Sequence, residues 1–489
     1  MTVGYEEAWQ VKGWRVMRWH GRALASATVA LCATAGATGT ASPAAAVAGG
    51  QQTVVAGTRT TVAAAAPKPY AFPENATTVE GAADTTGSVR LEPGKAYKSS
   101  IRRAAKLYYR LELDATSNAY VSATAVPRPG TTVSYSDGVK VSVQDGNSRD
   151  CSFSGTAHFG ATQSPHPVAA WASRETGGKQ YACQAPGTYY VVVERSGTTG
   201  SSAGDWDLEL TYVSEPGLKK AAGSTSAPEA WNSASPDALP GQPKRRSGGA
   251  GFGTASALRQ GNWQDGISPG QTLFYKVPVD WGQQLYATAD LGSSTGGDGY
   301  VGTALVMALY NPVRGLVDDV GSGYDGGQRS AALDPLPPVA YENRYALNDR
   351  VSGMRFAGSY YLVVHLAAQV ADKFGDGPFG LTLHVRVNGA ARAGPEYAGR
   401  AEPRDAFDVP AGDSVEASDG TAGGEPDTGG SAGGGTMKVV AVGAIGTGSL
   451  LVLTLGVWTV AARRRAVPAP EDATTASAPV PAPWEPRGW

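Results

Sequence analysis

Residues 187–193 read Gly-Thr-Tyr-Tyr-Val-Val-Val, and residues 358–364 read Gly-Ser-Tyr-Tyr-Leu-Val-Val. A glycine followed by aromatic and β-branched residues suits the start of a strand on a half-buried sheet. Moving outward, Trp206-Asp-Leu-Glu-Leu finds a counterpart in Phe379-Gly-Leu-Thr-Leu, Pro93-Gly94 in Pro269-Gly270, and Leu107-Tyr108 in Leu285-Tyr286. The four offsets lie between 171 and 178 residues. Ordered matches at a nearly fixed offset point to a duplicated unit, against the alternative that any two β-sandwiches share turn-and-strand chemistry.

Hydrophobic residues around these matches alternate at period two. Leu107, Tyr109, Leu111 and Leu113 share one face, as do Trp206, Leu208, Leu210 and Tyr212. In the second unit Leu273, Tyr275, Val277 and Val279 do the same, and so do Leu381, Leu383, Val385 and Val387. Strands of this kind read as antiparallel with one solvated face. The segments TVSYS and VKVSV flank Asp137-Gly138, whose tolerance of positive φ suits a two-residue hairpin. The expected fold class is all-β: two antiparallel β-sandwich domains in tandem, plus one C-terminal transmembrane helix. The sandwiches span 70–215 and 252–390, joined by a flexible Pro/Gly/Ser-rich linker at 216–251. Each is expected to fold independently and to carry a long insertion, Val126 to Gln184 and Gly292 to Arg355, where ligand contacts would lie.

At these residues the chain resembles the bacterial prepeptidase C-terminal (PPC) domain, a small β-sandwich usually appended to secreted peptidases. The resemblance rests on EPGKAY, GTYYVVVER and DWDLELTYV in the first unit and on SPGQTLFYKVPVDWGQQLYATADL, GSYYLVVHL and FGLTLHVRV in the second. It covers roughly half the chain through motifs of moderate specificity. It implies an accessory module and no activity, since no peptidase domain accompanies it. The Ala/Gly/Arg-rich composition resembles that of a high-GC actinobacterium.

The ends of the chain speak to location. Lys12, Arg15, Arg18 and Arg22 lead into an apolar run from Ala23 to Gly36 and then to Ala46-Val47-Ala48 before Gly49, the pattern of a secretory signal at 1–48. A start at Met17 would give a more compact head, and both starts remain open. Val439 to Ala462 is a run of 24 uncharged residues, about 36 Å as a helix, enough to span a bilayer. Arg463, Arg464 and Arg465 follow it directly, placing that side in the cytoplasm. The segment before it, 391–436, reads as an acidic Gly-rich stalk, and 463–489 as a disordered, Pro/Ala-rich cytoplasmic tail. The expectation is therefore a single-pass cell-membrane protein with its bulk outside. Glu425-Pro-Asp-Thr-Gly429 partly follows a sortase signal but lacks its leading Leu, and the chain continues well beyond the arginines.

With the signal removed, Cys151 and Cys183 are the two remaining cysteines, and an oxidising compartment predicts that they pair. Closing that loop stabilises the fold by roughly 3.5 to 4 kcal/mol in the chain-entropy view.

Chemistry is sparse. The formal net charge of −2 gives no basic field for nucleic acid. No zinc-protease helix or phosphate loop occurs, and the sequence names no catalytic, cofactor-binding or metal-ligating residue. His158 and His166 fall in the first insertion, while His365 and His384 read as ordinary strand residues. Asp318, Asp319 and Asp325 sit on a Gly-rich stretch that a hard cation such as calcium could use, although EF-hand spacing is absent. Asp114-Ala-Thr-Ser-Asn118 lacks the second serine of a von Willebrand A metal site. The resulting expectation is a non-catalytic envelope protein presenting two β-sandwiches to an unknown extracellular ligand or neighbouring complex. The alternatives are an enzyme or enzyme-accessory subunit, such as a partner of a secreted hydrolase or peptidase, with a site in the insertions, and secretion or signalling machinery acting through the tail.

Overall fold

The computed structural model describes residues 68–409, apart from 129, 153, 178–181, 198–199, 221–223 and 229. The signal at 1–48, the span at 439–462, the tail at 463–489 and the Glu425–Gly429 motif lie outside the described residues. Among the described residues no helix is long and apolar enough to cross a membrane.

The first unit contains β1 (Thr77–Thr78), β2 (Val89–Arg90), β3 (Ala96–Ile101), β4 (Lys106–Leu113), β5 (Asn118–Val126), β6 (Gly138–Gln144), β7 (Gly155–His158), β8 (Val168–Arg174), β9 (Gly187–Ser196) and β10 (Trp206–Glu215). The second contains β11 (Lys244–Arg245), β12 (Ser256–Ala257), β13 (Gly261–Ile267), β14 (Thr272–Val279), β15 (Gln284–Leu291), β16 (Val301–Tyr310), β17 (Leu316–Tyr324), β18 (Arg329–Ala332), β19 (Gly358–Leu366) and β20 (Phe379–Asn388). The first sandwich pairs a β1-β3-β10-β5-β8 sheet with a β2-β4-β9-β6-β7 sheet. The second pairs β11-β13-β20-β15-β18 with β12-β14-β19-β16-β17. Every strand of one sandwich has its counterpart ten places later, so the duplication is a property of the whole topology.

The register of the repeat differs in part from the sequence matches. GTYYVVV and GSYYLVV do occupy equivalent places, β9 and β19, and their leading glycines Gly187 and Gly358 sit at φ of 144° and 130°, a region that disfavours side chains. Trp206 and Phe379 open the equivalent β10 and β20. Leu107-Tyr108, however, lies on β4, whose counterpart β14 carries Leu273-Phe274, whereas Leu285-Tyr286 lies on β15. Pro93-Gly94 precedes β3 and Pro269-Gly270 precedes β14, so this match also joined different turns. The correct alignment shows in chemistry: Tyr109 donates to Ser99 Oγ at 2.9 Å, and Tyr275 donates to Asp265 Oδ2 at 2.7 Å, each bond tying one sheet to the other. Gly81 and Gly248 complete the equivalence, since a Cβ on either would fall within 3.0 Å of the corresponding tyrosine and leucine.

Three further expectations need correction. The sheets are not wholly antiparallel, because β1, β2, β11 and β12 pair in parallel with β3, β4, β13 and β14. The stretches 126–184 and 292–355 are not insertions: they supply β6, β7 and β8 in one copy and β16, β17 and β18 in the other. They looked foreign because none of the four sequence matches falls within them. Asp137-Gly138 is not a hairpin tip either. Gly138 opens β6, and the Asp137 carboxylate is buried, accepting from the Ser134 amide and hydroxyl.

The predicted inner faces are buried. Tyr109, Leu111, Trp206, Leu208 and Leu210 are at most 1% exposed, as are Tyr275, Val277, Leu381, Leu383 and Val385. Each such side chain contributes roughly 1.5–3 kcal/mol of transfer free energy. Cys151 and Cys183 form a disulfide with Cα atoms 5.3 Å apart, tying the end of β6 to the approach of β9. Reduction is expected to lower the denaturation midpoint through loss of this loop constraint. Non-reducing peptide mapping before and after denaturation checks the pairing.

The outer face of β10 carries the largest departure from expectation. Alternation predicts it to be wet, yet Glu209, Val213 and Glu215 are buried, and β5 is buried on both faces through Tyr120, Ser122 and Thr124. The second sandwich covers them. Tyr120 packs edge-on to Phe356 at 5.1 Å, and Ala169 on β8 joins a cluster with Phe252, Phe274, Tyr310 and Val363. The sandwiches are fused through an extensive seam, which the expectation of independent folding did not foresee.

The segments assigned to linker and stalk also take part. Between 232 and 241 the chain lies on the second sandwich, its carbonyls accepting from Gln284, Asn262 and Arg386. Its composition forbids a core of its own but does not stop its backbone from being hydrogen-bonded by a neighbour. Residues 392–409 form a strap. It pairs with the end of the first sandwich through Ser214–Glu402 and Leu218–Tyr397 bridges, then stacks Phe407 on Phe356 at 5.0 Å.

Candidate functional site

The seam is built from charge. All three carboxylates come from the first sandwich and all three guanidinium groups from the second: Glu209 with Arg314 at 2.5 Å, Glu215 with Arg344 at 2.8 Å, and Glu175 with Arg355 at 2.9 Å. Glu209 and Glu215 are fully buried. β10 positions them by alternation, since its leucines face inward and its acids outward. Arg314 comes from the β16–β17 turn, while Arg344 and Arg355 come from the segment between β18 and β19.

Glu215 is the most connected group. Its Oε1 accepts from Arg344 and from Tyr397 of the strap, and its Oε2 accepts from Asn118 and Tyr120 of β5, all at 2.7 or 2.8 Å. Burial alone would raise its pKa, but the Arg344 charge and these donors outweigh burial and hold the carboxyl below the usual range. Arg344 is held well above its ordinary value for the reciprocal reason: burial is outweighed by the Glu215 charge.

A second polar group crosses the seam. His166 stacks on His365 with ring centroids 4.4 Å apart, and Ser164 Oγ lies 2.9 Å from His365 Nε2. The far nitrogen of His365 lies 3.0 Å from both the Gln271 carbonyl and the Thr272 hydroxyl. The carbonyl can only accept, so His365 Nδ1 carries the proton and Ser164 donates to Nε2. Burial pushes the His166 ring down to about 4, and burial with the adjacent His166 holds His365 well below its ordinary value. A serine bonded to an imidazole invites comparison with a nucleophile and its base. Here Ser164 is fully buried and also accepts from the Ala368 amide, so the pair acts as a clasp between the sandwiches.

The other residues considered from sequence are dispersed. His158 sits at the exposed end of β7, its Nδ1 3.1 Å from the Ser136 carbonyl, in contacts separate from those of His166. His384 bonds Asn262 and Asp290 on the outer face of β20. Asp318 and Asp319 are consecutive on β17 and so point to opposite faces. Asp318 pairs with Arg350 and Asp325 with Arg329. Among the described residues no group of three or more His, Cys, Asp or Glu is placed to hold a metal ion. Asp114 caps a tight turn, accepting from the amides of Thr116 and Ser117. Sequence reasoning missed Glu175, Glu209 and Glu215 entirely. For Glu209 and Glu215 the available signal was an acid repeated on outward positions of a strand whose inward side begins Trp206, Leu208, Leu210 and Tyr212.

Beside the seam a cleft of about 660 Å³ opens where five segments meet: Leu218 with Lys220, Pro228 with 230–232, the turn at 281–284, 337–343, and 392–396 of the strap. Trp231, Trp281 and Tyr341 contribute to its walls, with prolines between them. Gln284 fixes two of these segments, donating to the carbonyls of Asn232 and Leu336.

No protein-family model matches the chain, and no curated protein matches it significantly. Among solved structures, similarity is found to the CUB1-EGF-CUB2 domain of human MASP-1/3, with 9% identity over 59% of this chain and 99% of that one, at a TM-score of 0.16. The tandem CBM22 domains of Paenibacillus barcinonensis Xyn10C match with 8% identity over 63% and 94%, also at 0.16. A secreted protein from Eubacterium rectale matches with 9% identity over 68% and 89%, again at 0.16. At these TM-scores the likenesses carry no argument about function.

Proposed function

We propose that this chain is a non-catalytic cell-envelope protein that holds two fused, PPC-like β-sandwiches outside the membrane as one rigid binding unit. A helix at 439–462 anchors it, the arginines at 463–465 fix its orientation, and the Pro-rich tail faces the cytoplasm. The observation that carries this reading is the seam. The buried acids, arginines and histidines that might have served catalysis are engaged with one another between the sandwiches, which is how a scaffold spends such groups. Rigidity suits binding, because a surface already ordered loses less entropy when a ligand docks.

Protease added to intact protoplasts should digest the sandwiches and leave a small membrane-embedded fragment containing the tail. Survival of both sandwiches with loss of the tail would reverse the topology and overturn the proposal.

A further inference from the structure

We propose that the cleft between the linker, the second sandwich and the strap binds a neutral oligosaccharide. The inference rests on the reading of the chain as an extracellular binding unit and adds the ligand class.

The walls are preformed. The Gly282 amide donates to the Val339 carbonyl at 2.7 Å, the Arg392 amide to Trp281 at 2.8 Å, and Asn343 Nδ2 to Pro338 and Met354 at 2.9 and 2.8 Å. Pro337, Pro338 and Pro395 stiffen the same segments. Trp281 lies packed under the strap, where Gly394 leaves the space: a Cβ there would meet Trp281 Nε1 at 2.3 Å. Trp231 is partly exposed and offers a flat apolar face, while Tyr341, partly exposed as well, carries the Arg344 guanidinium over its ring at 3.5 Å. The Trp231 indole N–H is shielded and has no hydrogen-bond partner among the described residues.

The charged groups at the rim select the ligand. Lys220 and Arg392 can only donate, whereas Glu342 and Glu396 can only accept. Two positive and two negative groups leave no net field for an ion. A sugar presents apolar ring faces to the aromatics and hydroxyls that both donate and accept, so one ligand satisfies the whole set. A proline-rich peptide would also suit the aromatics. Its prolines have no N–H, however, so it offers the two carboxylates fewer donors than the hydroxyls of a sugar do.

The test uses the full chain in detergent, with laminarin, xylan, mannan, arabinogalactan and dextran as probes in affinity electrophoresis. At least one polysaccharide should retard the wild type. Trp231→Ala should weaken that binding by roughly tenfold or more, as expected for loss of an aromatic anchor, and Glu396→Gln by a smaller factor, both with unchanged melting curves. Absence of retardation by all five, or Trp231→Ala binding as well as wild type, would overturn the inference. So would displacement of the glycan by a synthetic peptide of residues 478–486. None of these outcomes alters protease accessibility on protoplasts, so failure of the ligand assignment is separable from failure of the envelope reading.

Discussion

Glu215→Ala is expected to lower the stability of both sandwiches together by about 3–5 kcal/mol, the usual cost of removing one partner of a buried ion pair. Four donors lose their acceptor at once, and Arg344, whose side chain is 4% exposed, is left with an uncompensated charge. Adding Arg344→Met to Glu215→Ala should recover part of the loss, because the orphaned charge goes with it. Urea denaturation at neutral pH, followed by tryptophan fluorescence, should show one transition in wild type and variant. Two separate transitions, with the first sandwich shifted by under about 1 kcal/mol, would mean that the seam does not couple the units.

Acidification is expected to open the same seam before Glu215 titrates. In an unfolded chain His166 and His365 take up protons near their ordinary pKa of about 6.5. In the folded protein His166 resists until about 4, and His365 is also held well below its ordinary value. The unfolded state therefore binds more protons in this interval, so stability is complete above about 6.5 and declines as pH falls toward 4. His166 alone accounts for roughly 3 kcal/mol over that range, and His365 adds to it. The groups touching the rings are the Ser164 carbonyl and hydroxyl, the Phe159 ring, the Gln271 carbonyl and Thr272. No carboxylate is among these contacts to accept the new charge. Glu215, with its pKa lowered, adds its own loss only at still lower pH, in the same direction. Melting curves at pH 7, 6 and 5 should fall steeply for wild type and about half as steeply for His166→Phe. Equal slopes would show that the imidazoles do not govern the acid limb.

The sequence could reveal the inner half of this structure because alternation reports which residues meet a core. Leu208 and Leu210 must face inward whatever lies on the other side of the sheet. It could not reveal the outer half, because Glu209 and Glu215 look the same whether they meet water or an arginine from more than a hundred residues away. The same limit explains the linker and the strap. Their Gly, Pro and Ser content reports the lack of a private core and says nothing about carbonyls bonded by Gln284 or about Tyr397 reaching Glu215. Two of the four repeat matches failed for a related reason: Pro-Gly turns and Leu-Tyr pairs serve any strand, whereas Gly187 and Gly358 mark a backbone angle that both copies share. For the cleft, the aromatic residues come from segments as distant as Trp231 and Tyr341, which no local pattern joins.

The strap sets the mechanical wiring of the molecule. The chain leaves the second sandwich at Asn388, yet before passing residue 409 it pairs with Ser214 and Leu218 at the end of the first. Tension arriving from beyond residue 409 is thus delivered first to Phe407 on Phe356, then to the Glu402–Ser214 bridge, and only afterwards to β20. The sandwich farther along the chain from residue 409 is among the first to bear load, and a single nick near residue 390 would leave the strap still gripping the body through these bonds.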